Sequence, residues 1–241
     1  EKQVAEVGGA FIEQTDRIAP LDGKLYALRD SCGVVASIPL IVSSILSKKL
    51  AEGLDGLLLD VKTGQGAFMV REEDSLTLAH TLQAVGQGCG LKIRCMISSM
   101  DSPLGHCAGN ALEVLECVEI MQGKGPVDTQ ELIIELTTEM LLMAFPEREP
   151  SEIRSKILSD LASGRALETF AKVVSAQGGD CSFITSKGSL GKSPVEFHVE
   201  AENSGYLEEV DVCLLGNAII ELGGGRRRRN DKIDSRVGLS A

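Results

Sequence analysis

The sequence predicts an α/β protein: a helical segment, then a mixed α/β domain around a parallel sheet, then a smaller β-rich (α+β) C-terminal domain. Three observations carry that reading. Gly56 to Lys62, GLLLDVK, is a short continuous apolar run bounded by turn residues, the pattern of a strand buried on both faces of a parallel sheet. An amphipathic stretch near Glu72 to Gly86 and a second apolar run, Leu91 to Ser98, follow with short connections, and that strand, helix, strand order is the grammar of α/β folds. From Ser193 the texture changes to short alternations separated by Asn-Ser-Gly and Gly-Asn turns.

Taken in order, residues 1–20 read as the end of an N-terminal α/β part: the tail of a helix, a short apolar strand from Gly9 to Ile12 and a Pro-ended linker. Residues 21–53 form the helical segment. LDGKLYALRD makes a short helical turn, and Ser37 followed by Pro39 marks a new helix, because proline is tolerated in a first turn where its missing donor is not needed. That helix runs to about Glu52, with Gly53 as its C-terminal cap. Residues 54–192 form the α/β domain, with a third helix near Asn110 to Gln122 and consecutive helices over 127–178 that carry no candidate chemistry. Residues 193–241 open the β-rich domain. The start at Glu1 without Met and the stop at VGLSA lead us to expect a fragment whose C-terminal domain is truncated.

With 241 residues and 43% hydrophobic content the chain can bury a substantial core. Lys plus Arg number 24 against 35 for Asp plus Glu, a net charge of −11, which excludes general nucleic-acid or anionic-membrane binding. The one dense basic run, GGGRRRRND, reads as an exposed turn between strands. Seven scattered cysteines without a CxxC pair point to reduced thiols of a cytoplasmic protein, each a small buried apolar residue. The three histidines have no ligand or triad spacing, no signal peptide opens the chain, and no run reaches the roughly 18 apolar residues of a membrane span.

Chemistry concentrates in the helix after Pro39. Ile41, Ser44 and Lys48 stand at i, i+3 and i+7 and share one stripe. Alone, such a lysine near a helix end is a solvated group favoured by the helix dipole. If Arg29 approaches the stripe across the turn from Asp30 to Ser37, a guanidinium, a hydroxyl and an ammonium converge beside Tyr26 and Ile41. That set suits a flat ligand with carbonyl oxygens and an N–H, the outline of a pyrimidine base. TGQGAF, Thr63 to Phe68, sits where a strand end meets a helix start, the usual ligand position on an open parallel sheet, but it lacks the spacing of a dinucleotide or P-loop site.

The stretches AFIEQTDRIAP, LYALRD, SIPLIVSSILSKKLAEGLDGLLLDVKTGQGAF, MDSPLGHCAGNALEVLE and LGGGRRRRNDKID closely resemble the thymidine and pyrimidine-nucleoside phosphorylases, in order and along essentially the whole chain. AMP phosphorylases of the same superfamily are the nearest confusable group, and an AMP phosphorylase-like transferase or an inactive homologue that keeps the fold are the alternatives. The resemblance implies phosphorolysis of thymidine, deoxyuridine or uridine to a free base and a pentose 1-phosphate, in pyrimidine salvage and catabolism. It places the base-binding Arg, Ser and Lys on Arg29, Ser44 and Lys48, with Arg29 and Lys48 as catalytic stabilisers of the leaving base. It places the walls of the base and sugar site on Tyr26, Val35, Ile41 and Phe68. It further implies phosphate as co-substrate, no organic cofactor, and a structural potassium held partly by the carbonyls of Leu104 and Cys107 and by Glu116, Cys107 standing where relatives have Ala. A homodimer paired through the helical segment containing Pro39 to Lys49 is implied as well, with neither nucleic acid nor membrane as partner. The relatives' phosphate-binding segments, and a histidine near the base, are expected upstream of residue 1. One departure stands out: where relatives show a turn like VTATVDS, this chain has Ser31 to Ser37, SCGVVAS, with Ala36 in place of the acid.

Overall fold

A computed structural model describes residues 2–12, 18–228 and 231–241, the side chains of Ala27, Asp30 and Ser31 excepted. The fold is mixed α/β and rich in helix, with a parallel strand pair. The chain divides into two compact units: Ile12–Asp101 with Ile134–Arg154, and Glu1–Phe11 with Ser102–Ile133 and Ser155–Ala241.

In the first of these units, helices α2 (Pro20–Ser31) and α3 (Ile38–Ala51) precede strand β1 (Gly56–Thr63), helix α4 (Glu72–Gly88) and strand β2 (Lys92–Ser99). β1 and β2 pair in parallel, from Gly56 opposite Lys92 to Thr63 opposite Ser99. The sequence-based boundaries of α3 hold: Pro39 lies in its first turn, and Gly53 follows its end with φ +68°, a left-handed conformation that glycine adopts without steric cost. β1 fully buries only Leu57 and Val61, one face of the strand, so the expected burial of both faces is reduced to an alternation. These two residues join Ile41, Val42 and Leu46 of α3, Leu78, Ala79 and Leu82 of α4, and Leu91 and Ile93 in one apolar core. Ser75 is wholly buried, and its hydroxyl reaches the carbonyl of Met69 at 3.3 Å and those of Lys62 and Arg71 at 3.4 Å, tying the start of α4 to the end of β1.

The turn after β1 is fixed by backbone. Met100 N–H donates to the Thr63 carbonyl (2.6 Å), Gly66 N–H to the Met100 carbonyl (3.0 Å) and Gln65 N–H to Asp101 Oδ1 (2.8 Å). Gly64 has φ +113°, and a Cβ there would overlap the Asp101 carboxylate. Gly64→Ala is therefore expected to destabilise the protein by about 1–3 kcal/mol, read by urea denaturation, because both backbone strain and a displaced carboxylate oppose it.

The second unit holds helix α1 (Lys2–Val7), the short strands β3 (Cys107–Ala108) and β4 (Leu239–Ser240), helices α5 (Asn110–Met121), α8 (Arg165–Ala176) and α9 (Val212–Glu221), and 3₁₀ turns at Ser182–Ile184 and Lys187–Leu190. Helices α6 (Val127–Ala144) and α7 (Pro150–Ala162) contribute to both units. The expected strand over Gly9 to Ile12 is absent. The Phe11 backbone instead meets a side chain, its N–H donating to Gln177 Oε1 (2.8 Å) while Gln177 Nε2 donates to its carbonyl (2.6 Å). The Phe11 ring then stands edge-on to Phe170, which is edge-on to Phe183.

The β-rich expectation for residues 193–241 is also corrected. Over 193–211 the chain has no regular structure, and the alternating Val195, Phe197 and Val199 are 74%, 86% and 88% exposed: a period-2 pattern makes no strand without a ladder to join. VCLLGNAIIE is helix α9, started by the Asp211 side chain, which accepts from Leu214 N–H at 2.8 Å. Its Gly-Asn pair lies inside the helix rather than in a turn. The Gly-rich basic run follows α9 as an exposed turn, in which Asp231 accepts from the N–H groups of Arg227 and Arg228; Arg229 and Asn230 lie outside the described residues. No described helix is long and apolar enough to cross a membrane.

Candidate functional site

Helix α2 carries Asp22, Tyr26 and Arg29 at i, i+4 and i+7, and α3 carries Ile41, Ser44 and Lys48 at i, i+3 and i+7, so each helix presents one stripe. The connecting turn brings the stripes together. Val34 N–H donates to the Arg29 carbonyl and Ser37 N–H to the Val34 carbonyl, both at 3.2 Å, and Gly33 takes the left-handed φ of +67°. The turn closes through backbone bonds, with Ala36 exposed.

Lys48 Nζ donates to Asp22 Oδ2 at 2.6 Å and to Ser44 Oγ at 3.1 Å. Its side chain is 23% exposed and that of Asp22 only 7%, so Lys48 is not the solvated helix end that spacing alone allowed. Arg29 is buried, its guanidinium carbon 5.1 Å from the centroid of the Tyr26 ring, and its Nε has no hydrogen-bond partner among the described residues. A buried donor without an acceptor costs about 1–3 kcal/mol, a cost that a ligand oxygen removes.

Tyr26, Arg29, Ile41, Ser44, Lys48 and Phe68 line one cavity of about 540 Å³, closed below by Leu59 and Met69. Val35 is not among its lining residues. The Phe68 ring is largely exposed at the cavity and Tyr26 half-exposed, as aromatic walls for a flat ligand would be. A second, mostly apolar hollow of about 570 Å³ shares Tyr26, Arg29 and Ser44 and is edged by Leu21, Leu25, Leu28, Val34 and Leu40, with Asp22, Ser43 and Ser47 among its polar residues.

In the other unit, the loop between Leu104 and Cys107 runs past Glu116. Glu116 is buried on α5, its Oε1 accepts from His106 N–H at 2.9 Å, and Gly105, with φ +77°, passes so close that a Cβ would overlap Oε2. Asp128 steadies the same loop by accepting from Gly105 N–H at 3.0 Å. No group of three or more His, Cys, Asp or Glu able to hold a metal occurs among the described residues. The Glu116 carboxylate faces the His106 N–H and the Cys107 thiol, and a carboxylate supplemented by backbone carbonyls would suit a hard cation rather than a transition metal.

A sequence profile described as "Glycosyl transferase family, a/b domain" matches residues 1–167, and one described as "Pyrimidine nucleoside phosphorylase C-terminal domain" matches residues 206–241. The chain belongs to this glycosyl transferase family. Among its relatives, the pyrimidine-nucleoside phosphorylase of Bacillus subtilis (strain 168) is 42% identical over 95% of this chain and 53% of its own length. The thymidine phosphorylase of Burkholderia cenocepacia (strain HI2424) is 43% identical over 100% of this chain and 55% of its own, and the pyrimidine-nucleoside phosphorylase of Staphylococcus haemolyticus (strain JCSC1435) is 41% identical over 99% and 54%. The chain thus spans about half the length of the curated relatives it matches.

Of the residues that sequence reasoning set around the base and sugar, Val35 is not among those that line the cavity. Asp22 was missed, although its spacing from Tyr26 and Arg29 already placed it on their stripe. The burial expected of the cysteines needs correction: none of the seven is fully buried. Burial pushes the Cys95 thiol up to about 11, and burial together with the neighbouring Glu116 charge pushes Cys107 to about 11. At pH 8 both are expected to react with iodoacetamide at roughly a hundredth of the rate of an ordinary thiol in a reference peptide, a gap that closes as pH approaches 11; peptide mapping reads it.

Proposed function

We propose that this chain carries the nucleobase half of a phosphorolysis site for pyrimidine nucleosides. One observation carries the reading: two cations from adjoining helices, Arg29 and Lys48, line a single cavity with the Ser44 hydroxyl and the walls of Tyr26, Ile41 and Phe68. The names of the relatives support the same substrate class. In the reaction a phosphate oxygen bonds to the anomeric carbon as the carbon–nitrogen bond breaks. The bonding electron pair leaves with the base and spreads onto its carbonyl oxygens, giving the free base and a pentose 1-phosphate. Arg29 and Lys48 favour this anionic base over the neutral nucleoside, which is the differential binding that accelerates a step. Ser44 orients the ring by hydrogen bonding, and no covalent enzyme intermediate is required.

The test is phosphate-dependent release of thymine from thymidine and uracil from uridine by the intact protein, followed by chromatography. Release with both reagents supports the reading; none at any phosphate concentration, with nucleoside bound, overturns it.

The same reading includes a potassium ion held by the Leu104 and Cys107 carbonyls and Glu116, supported by the buried Glu116 carboxylate against which the loop lies; bound there, the ion steadies the loop. It also includes phosphate as the second substrate, a cytoplasmic place in pyrimidine salvage, supported by cysteines that form no disulfide among the described residues, and a homodimer joined through the helical segment. The exposed apolar edge of Leu21, Leu25 and Leu28 supports that pairing. Leu25→Glu is expected to shift the mass in solution from dimer to monomer by light scattering.

A further inference from the structure

We propose that Asp22 is a positioning residue of the base site, acting through Lys48. The inference rests on the reading of that site given above. Asp22 is 7% exposed on α2, its Oδ2 lies 2.6 Å from Lys48 Nζ, and the same Nζ lies 3.1 Å from Ser44 Oγ. Lys48 and Ser44 line the cavity, whereas Asp22 lines the apolar hollow that shares Tyr26, Arg29 and Ser44 with it. Asp22 therefore grips the ammonium from behind, and Ser44 fixes its second bond.

Stability alone is a poor explanation for this pair. Removing two charges from water is costly, and a buried ion pair is often no more stabilising than apolar side chains of the same volume. A cavity that must hold a cation at a set point has a different need. A lysine side chain has four rotatable carbons and a strongly hydrated head, so without an anchor it leaves for water. The carboxylate restrains that freedom and supplies a counter-charge at 2.6 Å. It also brings negative charge near a base that turns anionic. Because Asp22 stands behind Lys48 rather than among the cavity-lining residues, the nearer ammonium dominates the field at the ligand. Arg29 is handled differently: its guanidinium is planar and always charged, and it rests on the Tyr26 ring.

The experiment is a double-mutant cycle in the intact protein, with thymidine and phosphate as substrates: wild type, Asp22→Asn, Lys48→Met and the pair. Asp22→Asn keeps the shape and an acceptor oxygen, so folding is spared; melting temperatures of all four check this. Asp22→Asn is expected to lower kcat about ten- to a hundred-fold while moving KM less than about threefold, since its effect lies in the transition state. In the Lys48→Met background the same change is expected to have no effect on kcat, and Asp22→Glu is expected to recover part of the loss. Equal losses in both backgrounds, or a loss tracked entirely by melting temperature, would overturn the proposal and leave the base site standing. If Lys48→Met itself leaves kcat/KM unchanged, it is the reading of the base site that fails.

Discussion

Arg29→Ala is expected to lower kcat/KM for pyrimidine nucleosides by about a hundred- to a thousand-fold, equivalent to about 2.7–4 kcal/mol of transition-state stabilisation, as removal of one preorganised donor typically does. Arg29 should outweigh Lys48 in this respect. The Lys48 charge is partly offset by Asp22, whereas Arg29 lies over a neutral ring with a buried Nε that no acceptor among the described residues meets. Arg29→Lys is expected to recover little of the loss, because a compact ammonium reproduces neither the planar fork nor the stacking on Tyr26. Steady-state kinetics of both variants, beside their melting curves, separate this from a folding defect. Near-normal kcat/KM in a folded Arg29→Ala protein would remove the guanidinium from the mechanism.

The largest loss of stability is expected from Leu46→Ala, about 2–5 kcal/mol, because the lost transfer energy adds to the cavity left in a core that relaxes only in part. Leu46 is 2% exposed and sets α3 against the cluster containing Leu57, Val61 and Leu82. In urea the midpoint should fall while the slope stays constant, the mark of a change in stability rather than in the unfolded state. The helix that Leu46 seats is the one that presents Ser44 and Lys48, so the packing of the sheet holds the polar stripe at its working height.

Where local chemistry decides the backbone, the sequence was readable. Pro39 and Gly53 bounded α3, the two apolar runs formed the parallel pair, and the 41/44/48 spacing put three side chains on one cavity. What escaped depended on partners far along the chain. Gly9 to Ile12 looked like a strand because its apolar run is real, but Gln177, 166 residues away from Phe11, meets the backbone that a neighbouring strand would have met. Asp22 looked like an ordinary turn-former until Lys48, 26 residues on, closed on it. In α9 the period itself was misread: Val212, Leu215 and Ile219 recur at helical intervals, and the Gly216-Asn217 pair drew attention to a turn that Asp211 had pre-empted by capping a helix.

Cavity and apolar hollow share Tyr26, Arg29 and Ser44, which makes the α2–α3 layer a partition one side chain thick. Water admitted on the hollow side would screen the guanidinium across that partition, since the strength of a charge depends on the medium behind it as well as in front. Covering the exposed Leu25 and Leu28 would therefore also change the voltage felt by a ligand at the opposite surface.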